Sequence, residues 1–320
     1  MQILYRTLVQ STYCRKKYRQ DLRRGSVFRH WTRRTLTEAP RSWVDWGMSE
    51  SNAFPYLHGF SEEEQQRLRK QAHFGEHTVY QNINLSNVTD LLEVGCGVGA
   101  QSDIILRRFP DLTLTGIDRS KNQLAVAQHN LSKTPYATGR FDLREMDATA
   151  MEFDANSFDG AFLCWILEHV PDPIRVLSEV RRVLRPGSVI YITEVMNSSF
   201  FLDPYSPNVW KYWMAFNEYQ LQQKGDPFVG AKLGNFLMQL GYHDIHTEIK
   251  TWFLDNRYPQ ARKDCVEYWT DLLLSASEQL VAAQCVSKDV VEGMRQEMAA
   301  VANDPNAVFF YSFVQARART

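Results

Sequence analysis

From residue 61 onward, apolar and polar positions change period along the chain in a regular exchange. The run at 88–95 (VTDLLEVG) is short, largely apolar and ends on glycine, which predicts a buried strand. QSDIILRRF, just after it, spaces its apolar residues for a helix that Pro110 closes. The exchange then repeats: LTLTGID (112–118) reads as a strand, 120–131 as a helix, 140–147 as a third strand and FDGAFLCWIL (158–167) as a fourth. A helix is predicted over 173–184, apolar at Ile174, Val176, Leu177, Val180 and Leu184, with Pro186-Gly187 as its break. VIYITEV (189–195) is the fifth strand. Upstream, Ser61 followed by Glu62, Glu63 and Glu64 predicts an N-cap with acids in the first helical turn, and the helix runs on through EQQRLRKQAHFGEHTVYQNI. Downstream, 197–228 is rich in aromatics. GAKLGNFLMQLGY then resumes as a helix, HDIHTEIKTWFL as a strand, 255–305 as a helical insertion and AVFFYSFVQARA (307–318) as the last strand.

Strands alternating with helices predict parallel pairing through right-handed crossovers. The expected fold class is α/β: a Rossmann-like, seven-stranded, mostly parallel sheet with helices on both faces and a helical, aromatic cap. The cap is expected from 54–74, 197–228 and 255–305. The corresponding organisation is a basic leader at 1–47, N-terminal cap helices at 48–87, and a core at 88–320 with cap insertions at about 197–230 and 255–305.

Composition narrows the class without choosing a function. The 320 residues are 44% hydrophobic and 23% charged, ordinary for a soluble globular protein. A net charge of −1 gives no overall attraction to nucleic acid or to an anionic membrane. No run approaches the roughly 18 apolar residues of a membrane span. Cys14, Cys96, Cys164, Cys265 and Cys285 are odd in number and lack CxxC spacing, which points to reduced thiols in a reducing compartment such as the cytoplasm, with no metal site. The leader, with Arg15, Lys16, Lys17, Arg19, Arg23 and Arg24 among few acids, admits three readings: a transit peptide directing the chain to an organelle, a nucleic-acid arm, or a segment with no role. Met48 reads as an alternative natural start.

The chemistry concentrates in EVGCGVGA. Gly95, Gly97 and Ala100 satisfy G-x-G-x-x-A after a strand, and Asp118 supplies the acid about 20 residues on. Read alone, the loop fits a nicotinamide dinucleotide, so an oxidoreductase remains a rival, as does a binding scaffold without turnover. Further features distinguish the loop: the strand ends on Glu93, the glycines recur at alternate positions (Gly95, Gly97, Gly99), Asp147-Ala148 tips the third strand, and LRPGSVIYI follows where the sheet places it. With these motifs the sequence resembles the class I S-adenosylmethionine-dependent methyltransferases, in particular the small-molecule group that includes the ubiquinone/menaquinone C-methyltransferases, over roughly 88–195 and the final strand. The resemblance implies that Glu93 supports the ammonium of S-adenosylmethionine, that Gly95 and Gly97 leave room for its methionine part, that Asp118 accepts both ribose hydroxyls, and that Asp147 with the Ala148 amide meets adenine. Cys164 falls where this family offers a backbone carbonyl; its thiol is expected to be a packing bystander.

For catalysis, Glu168-His169 follow the fourth strand and Glu194 lies on the fifth. His169 is either a general base or a histidine that orients the loop before Pro171; Glu194 either binds substrate or fixes a backbone turn. The fourth strand ends in CWILEHV, without the Asn/Asp-Pro-Pro-Tyr signature of adenine or glutamine methylation, and no basic patch appears outside the leader. A small-molecule acceptor is therefore expected, and nucleic acid is not. Trp210, Trp213, Tyr219, Trp252, Tyr268 and Trp269 form the cap core, line an apolar slot, or box a cationic amine. Tyr56 and His58 are lid candidates, and Tyr56, Trp210 and Trp213 are the substrate-binding candidates.

Overall fold

In the computed structural model, strand β1 (Asp90–Val94) lies between β2 (Thr113–Asp118) and β4 (Phe158–Cys164) and runs parallel to both, with Leu91 opposite Leu114 on one side and Gly160 on the other. The structure describes His58, Gly59 and residues 61–320, which belong to the compact unit Ala53–Thr320. Expectations for the leader and for Tyr56 fall outside the described residues. β3 (Phe141–Glu145) extends the sheet beyond β2, and β5 (Leu184–Val195) extends it beyond β4, both in parallel. β8 (Val308–Arg319) joins β5 antiparallel, and β7 (His243–Leu254) pairs antiparallel with the other edge of β8.

The sheet has eight strands, in the order β3-β2-β1-β4-β5-β8-β6 with β7 on β8. The strand beyond the seven expected is β6 (Phe201–Asp203), which pairs with β8 past the end of β5. Its three residues are too few for an alternating pattern to register. β5 also begins earlier than expected, at Leu184. Pro186-Gly187 sits inside a register break between the pairs Phe158↔Leu184 and Gly160↔Val189, where proline's missing N–H costs no ladder bond.

Neighbouring strand residues enter different cores, as the two-residue repeat of a strand requires. Leu91, Phe162, Tyr191 and Phe313 belong to one core, whereas Leu92, Leu163, Ile192 and Val314 belong to the other. Helices α1 (Glu62–Tyr80) and α2 (Ala100–Arg108) contribute to the first, and so does Leu131 of α3 (Lys121–Ser132). The second takes α4 (Pro173–Val183) and α6 (Leu233–Gln239). Ser61 caps α1 as expected, its Oγ accepting the Glu64 N–H at 3.2 Å.

The cap extends the first core. α5 (Pro207–Gln222) comes from the aromatic segment, and α7 (Pro259–Ser275), α8 (Ser277–Ala282) and α9 (Lys288–Asn303) from the later insertion. α9 packs on both α5 and α7. α1 is tied to α7 by Arg67, which is held by both carboxylate oxygens of Glu64 at 2.7 Å and donates to the Tyr268 hydroxyl at 3.1 Å. Among the described residues no helix is long and apolar enough to cross a membrane.

Candidate functional site

A cavity of about 310 Å³ opens at the carboxyl ends of β1 to β4, at the low end of the range for small-molecule sites. Gly95, Gly97, Asp118, Asp147, Ala148 and Cys164 all line it. Gly95 turns the chain out of β1 at φ 73°, and a Cβ there would stand 2.8 Å from the Ile166 side chain. Gly97 is at φ 52°, and a Cβ on it would meet no protein atom within 4 Å. The positive φ excludes most side chains, and the open space is what a ligand pressed against bare backbone needs. Gly99 does not line the cavity; a Cβ there would lie 3.1 Å from that of Ala127, so its glycine serves helix packing.

The carboxylates divide between ligand cleft and scaffold. Asp118 accepts the Gly97 N–H at 2.9 Å on one oxygen and the Ser120 N–H at 2.8 Å on the other, so it shapes the loop it faces. Burial raises its pKa, and these two N–H groups pull it back down. Each carboxylate oxygen retains acceptor capacity for a vicinal diol. Asp147 is exposed and accepts both the Thr149 N–H and hydroxyl at 2.8 Å, which fixes the β3 tip. Glu93 lies elsewhere: only 2% exposed, it takes the Ser102 hydroxyl and does not line the cavity. Burial raises its pKa to about 8, so at neutral pH it carries a proton and bonds β1 to the start of α2. Cys164 is a protonated thiol, its pKa raised mainly by burial and further by Glu194, Glu93 and Glu168.

After β4 the chain makes a tight turn in which Trp165 adopts φ 55°, a left-handed conformation unusual for a bulky side chain. Glu194 holds this turn: one carboxylate oxygen accepts the N–H groups of Ile166 at 3.0 Å and Leu167 at 2.7 Å. Fully buried and lining neither cavity described here, Glu194 occupies the position of a turn-fixing residue. Burial pushes its pKa well up.

The turn carries Glu168 and His169 into a second, smaller cavity of about 60 Å³ between the sheet and the cap. Leu68, Gln71, Trp165 and His169 line both cavities, so the two adjoin at these side chains. Trp213, Trp252, Tyr268 and Trp269 wall the smaller one, together with Phe216 and Tyr311. Trp213, Trp252 and Tyr268 have polar partners at Asn197, Thr78 and Arg67, whereas the buried indole N–H of Trp269 has no acceptor among the described residues. Trp210 does not reach this chamber; it packs against Phe200 at a ring separation of 5.6 Å. His58 does line the chamber, bonded through Nδ1 to Ser275 Oγ at 2.7 Å.

Burial holds the His169 pKa down at about 4, with Arg67 adding to the effect, so its ring is neutral at physiological pH. Glu168 has the opposite displacement: burial raises it to about 7, against the Gln220 amide that donates to it at 2.9 Å and against Arg67. The closest approach of the two side chains is 3.7 Å, too long for a hydrogen bond. Trp165, Arg67 and Gln71 were not singled out from sequence. Only the CWILEHV turn gave a signal for the first, and nothing in a helix pattern distinguishes the other two from surface polar residues.

Residues 92–192 match the family described as a methyltransferase domain. The chain is 34% identical over 128 residues to a demethylmenaquinone methyltransferase of Desulfitobacterium hafniense, covering 40% of this chain and 44% of that one. It is 28% identical over 167 residues to cycloartenol-C-24-methyltransferase 1 of rice, covering 52% and 45%. The chain thus spans about half the length of the curated relatives it matches. It is also similar to a solved phosphoethanolamine N-methyltransferase 2 of Haemonchus contortus with S-adenosyl-L-methionine, at 22% identity and a TM-score of 0.47 over 80% of this chain and 52% of that one.

The matched residues form the parallel part of the sheet that bears the larger cavity, and the cofactor implied there is S-adenosylmethionine. The cavity's residues fit that cofactor: bare backbone at Gly97, a diol acceptor at Asp118, and Ile117, Met146 and Val170 as apolar surface beside the β3 tip.

Proposed function

We propose that this protein transfers a methyl group from S-adenosylmethionine to a small-molecule acceptor, by in-line displacement in a cleft closed by α1, α5 and α7. The observation that carries this reading is that the cofactor-type cavity and the aromatic chamber adjoin, with Trp165 and His169 in the walls of both. Displacement at a methyl carbon requires donor and acceptor on opposite sides, held close and kept dry, and two adjoining cavities suit that arrangement.

S-adenosylmethionine, when bound, supplies a sulfonium-activated methyl group. The chain's part is to bind, orient and manage protons. Asp118 accepts ribose hydroxyls, Asp147 and the Ala148 amide meet adenine, and Gly95 and Gly97 let the backbone approach the methionine part. Glu194 orients the turn that presents Trp165, Glu168 and His169 to the acceptor. Where the acceptor carries a proton, the ionised Glu168 is the group poised to take it near neutral pH, whereas His169, neutral and weakly basic, orients by hydrogen bonding. The methyltransferase-domain match over residues 92–192 disfavours a nicotinamide-dependent oxidoreductase.

The test is calorimetric titration with S-adenosylhomocysteine and with NAD, followed by a metabolite-extract screen for products one methylene heavier in the presence of S-adenosylmethionine. Binding of the nucleoside and a methylated product support the reading. Binding of NAD alone overturns it, and tight nucleoside binding with no product from any extract points to a scaffold without turnover.

A further inference from the structure

The chamber beyond Trp165 has a composition that restricts what enters it. At about 60 Å³ it is less than half the size of the apolar cavities of about 150 Å³ that hold a benzene ring. It admits a compact group, not a ring. Four tryptophans (Trp165, Trp213, Trp252 and Trp269) contribute to its wall, and their faces carry the negative quadrupole that attracts cations. Among the described residues the carboxylate at its wall is Glu168, 8% exposed, which accepts from the neutral amide of Gln220.

We propose that this chamber receives the compact ammonium group of an aliphatic amine, with Glu168 as its counter-charge and proton acceptor. The inference rests on the methyltransferase reading and specifies its acceptor. A buried carboxylate without a bonded cation is costly, and a small ammonium ion relieves that cost while the indole faces replace its water. Among the described residues, Arg67 at the chamber wall favours the ionised Glu168 through its charge, and the charged groups around Glu168 have other partners or the wrong sign. Arg67 on α1 is held by both oxygens of Glu64, Asp226 after α5 is acidic, and Glu194 on β5 is anchored to the turn amides. His58 and His169 are kept neutral by burial, as are Cys164, Tyr268 on α7 and Tyr311 on β8. In the reaction, the ammonium gives one proton to the Glu168 carboxylate. The freed nitrogen lone pair then forms the N–C bond as the C–S bond breaks, and that bond's electron pair stays on sulfur.

The test uses the full chain and methylammonium, a cation small enough for the chamber, with methanol as its neutral counterpart; with no methyl donor present neither is methylated. Tryptophan fluorescence reads occupancy of the chamber in the presence of S-adenosylhomocysteine. Saturable binding of methylammonium, about tenfold or more tighter than methanol, is expected. It should tighten as pH rises through about 7, where Glu168 ionises. In Glu168→Gln it should weaken about tenfold or more, while S-adenosylhomocysteine affinity, measured separately by calorimetry, is unchanged. Equal affinity for the cation and the alcohol in the wild-type protein overturns the proposal, whatever the variant's stability. So does an unchanged cation affinity in the variant. Failure of S-adenosylhomocysteine to bind the wild type is a failure of the methyltransferase reading itself, so the two are distinguishable.

Discussion

At the scale of single residues, the most informative side chain is one that never touches the cleft. Glu93 lies one residue before the end of β1 and is buried in the interior, where burial lifts its pKa from 4.5 to about 8. Between those values the folded chain keeps a proton that the unfolded chain releases. Stability must therefore fall as pH rises across that window, by up to about 1.4 kcal/mol per pH unit from this one group. Glu93→Gln keeps a partner for Ser102 and removes the titration. Urea midpoints measured at about pH 5 and about pH 8 should fall with pH in the wild type and fall less in the variant, since contributions from Glu168 and His169 are common to both. An identical slope in the two proteins contradicts the assignment. Asp118 is the complementary case, a carboxylate that faces the cleft and organises it. Asp118→Ala removes the diol acceptor and frees the Gly97 amide, which should cost about 1.5–3 kcal/mol of S-adenosylhomocysteine binding, roughly 10- to 150-fold in Kd by calorimetry.

At the scale of elements, the decisive piece is the turn between β4 and α4. Its strained Trp165 persists because Glu194, from the neighbouring strand, holds the next two amides. Glu194→Ala leaves both amides without that acceptor and should lower thermal stability, by about 1–3 kcal/mol for each orphaned group. Glu194→Gln, which retains one acceptor oxygen, should recover most of the loss. A glutamine variant that folds like the wild type but has lost turnover would instead place Glu194 in the chemistry. The link between α1 and α7 makes a second prediction. Arg67→Met strands the 2%-exposed Glu64 and should cost about 3–5 kcal/mol, whereas the double variant Arg67→Met/Glu64→Gln should recover much of that, read by urea denaturation. Most elements were legible from period alone because long strands and amphipathic helices repeat their pattern over several turns. β6 was not, being three residues long, and the early start of β5 was hidden by a Pro-Gly pair that ordinarily breaks structure.

At the scale of the whole molecule, a ligand that binds only the folded state raises its stability by mass action. S-adenosylhomocysteine at about 100 times its Kd should add about 2.7 kcal/mol to unfolding, and NAD at the same concentration nothing comparable. Thermal melts with each ligand check this. The cavity pair that underlies the functional reading is itself a property of the whole molecule, since its walls come from α1, the β4 turn, β7, α5, α7 and β8. By itself the sequence determined the alternation of strands and helices, the glycine turn after β1 and the acids at the tips of β2 and β3. Each of these depends on local backbone preference and on short-range periodicity, which neighbouring residues specify. Only the tertiary structure decided that Glu93 lies behind the loop, that Glu194 serves a turn, that Trp210 packs while Trp213 lines a chamber, and that Glu168 faces indoles. Those outcomes depend on which distant segments close over a side chain and exclude its water, and burial of that kind leaves no period in the chain.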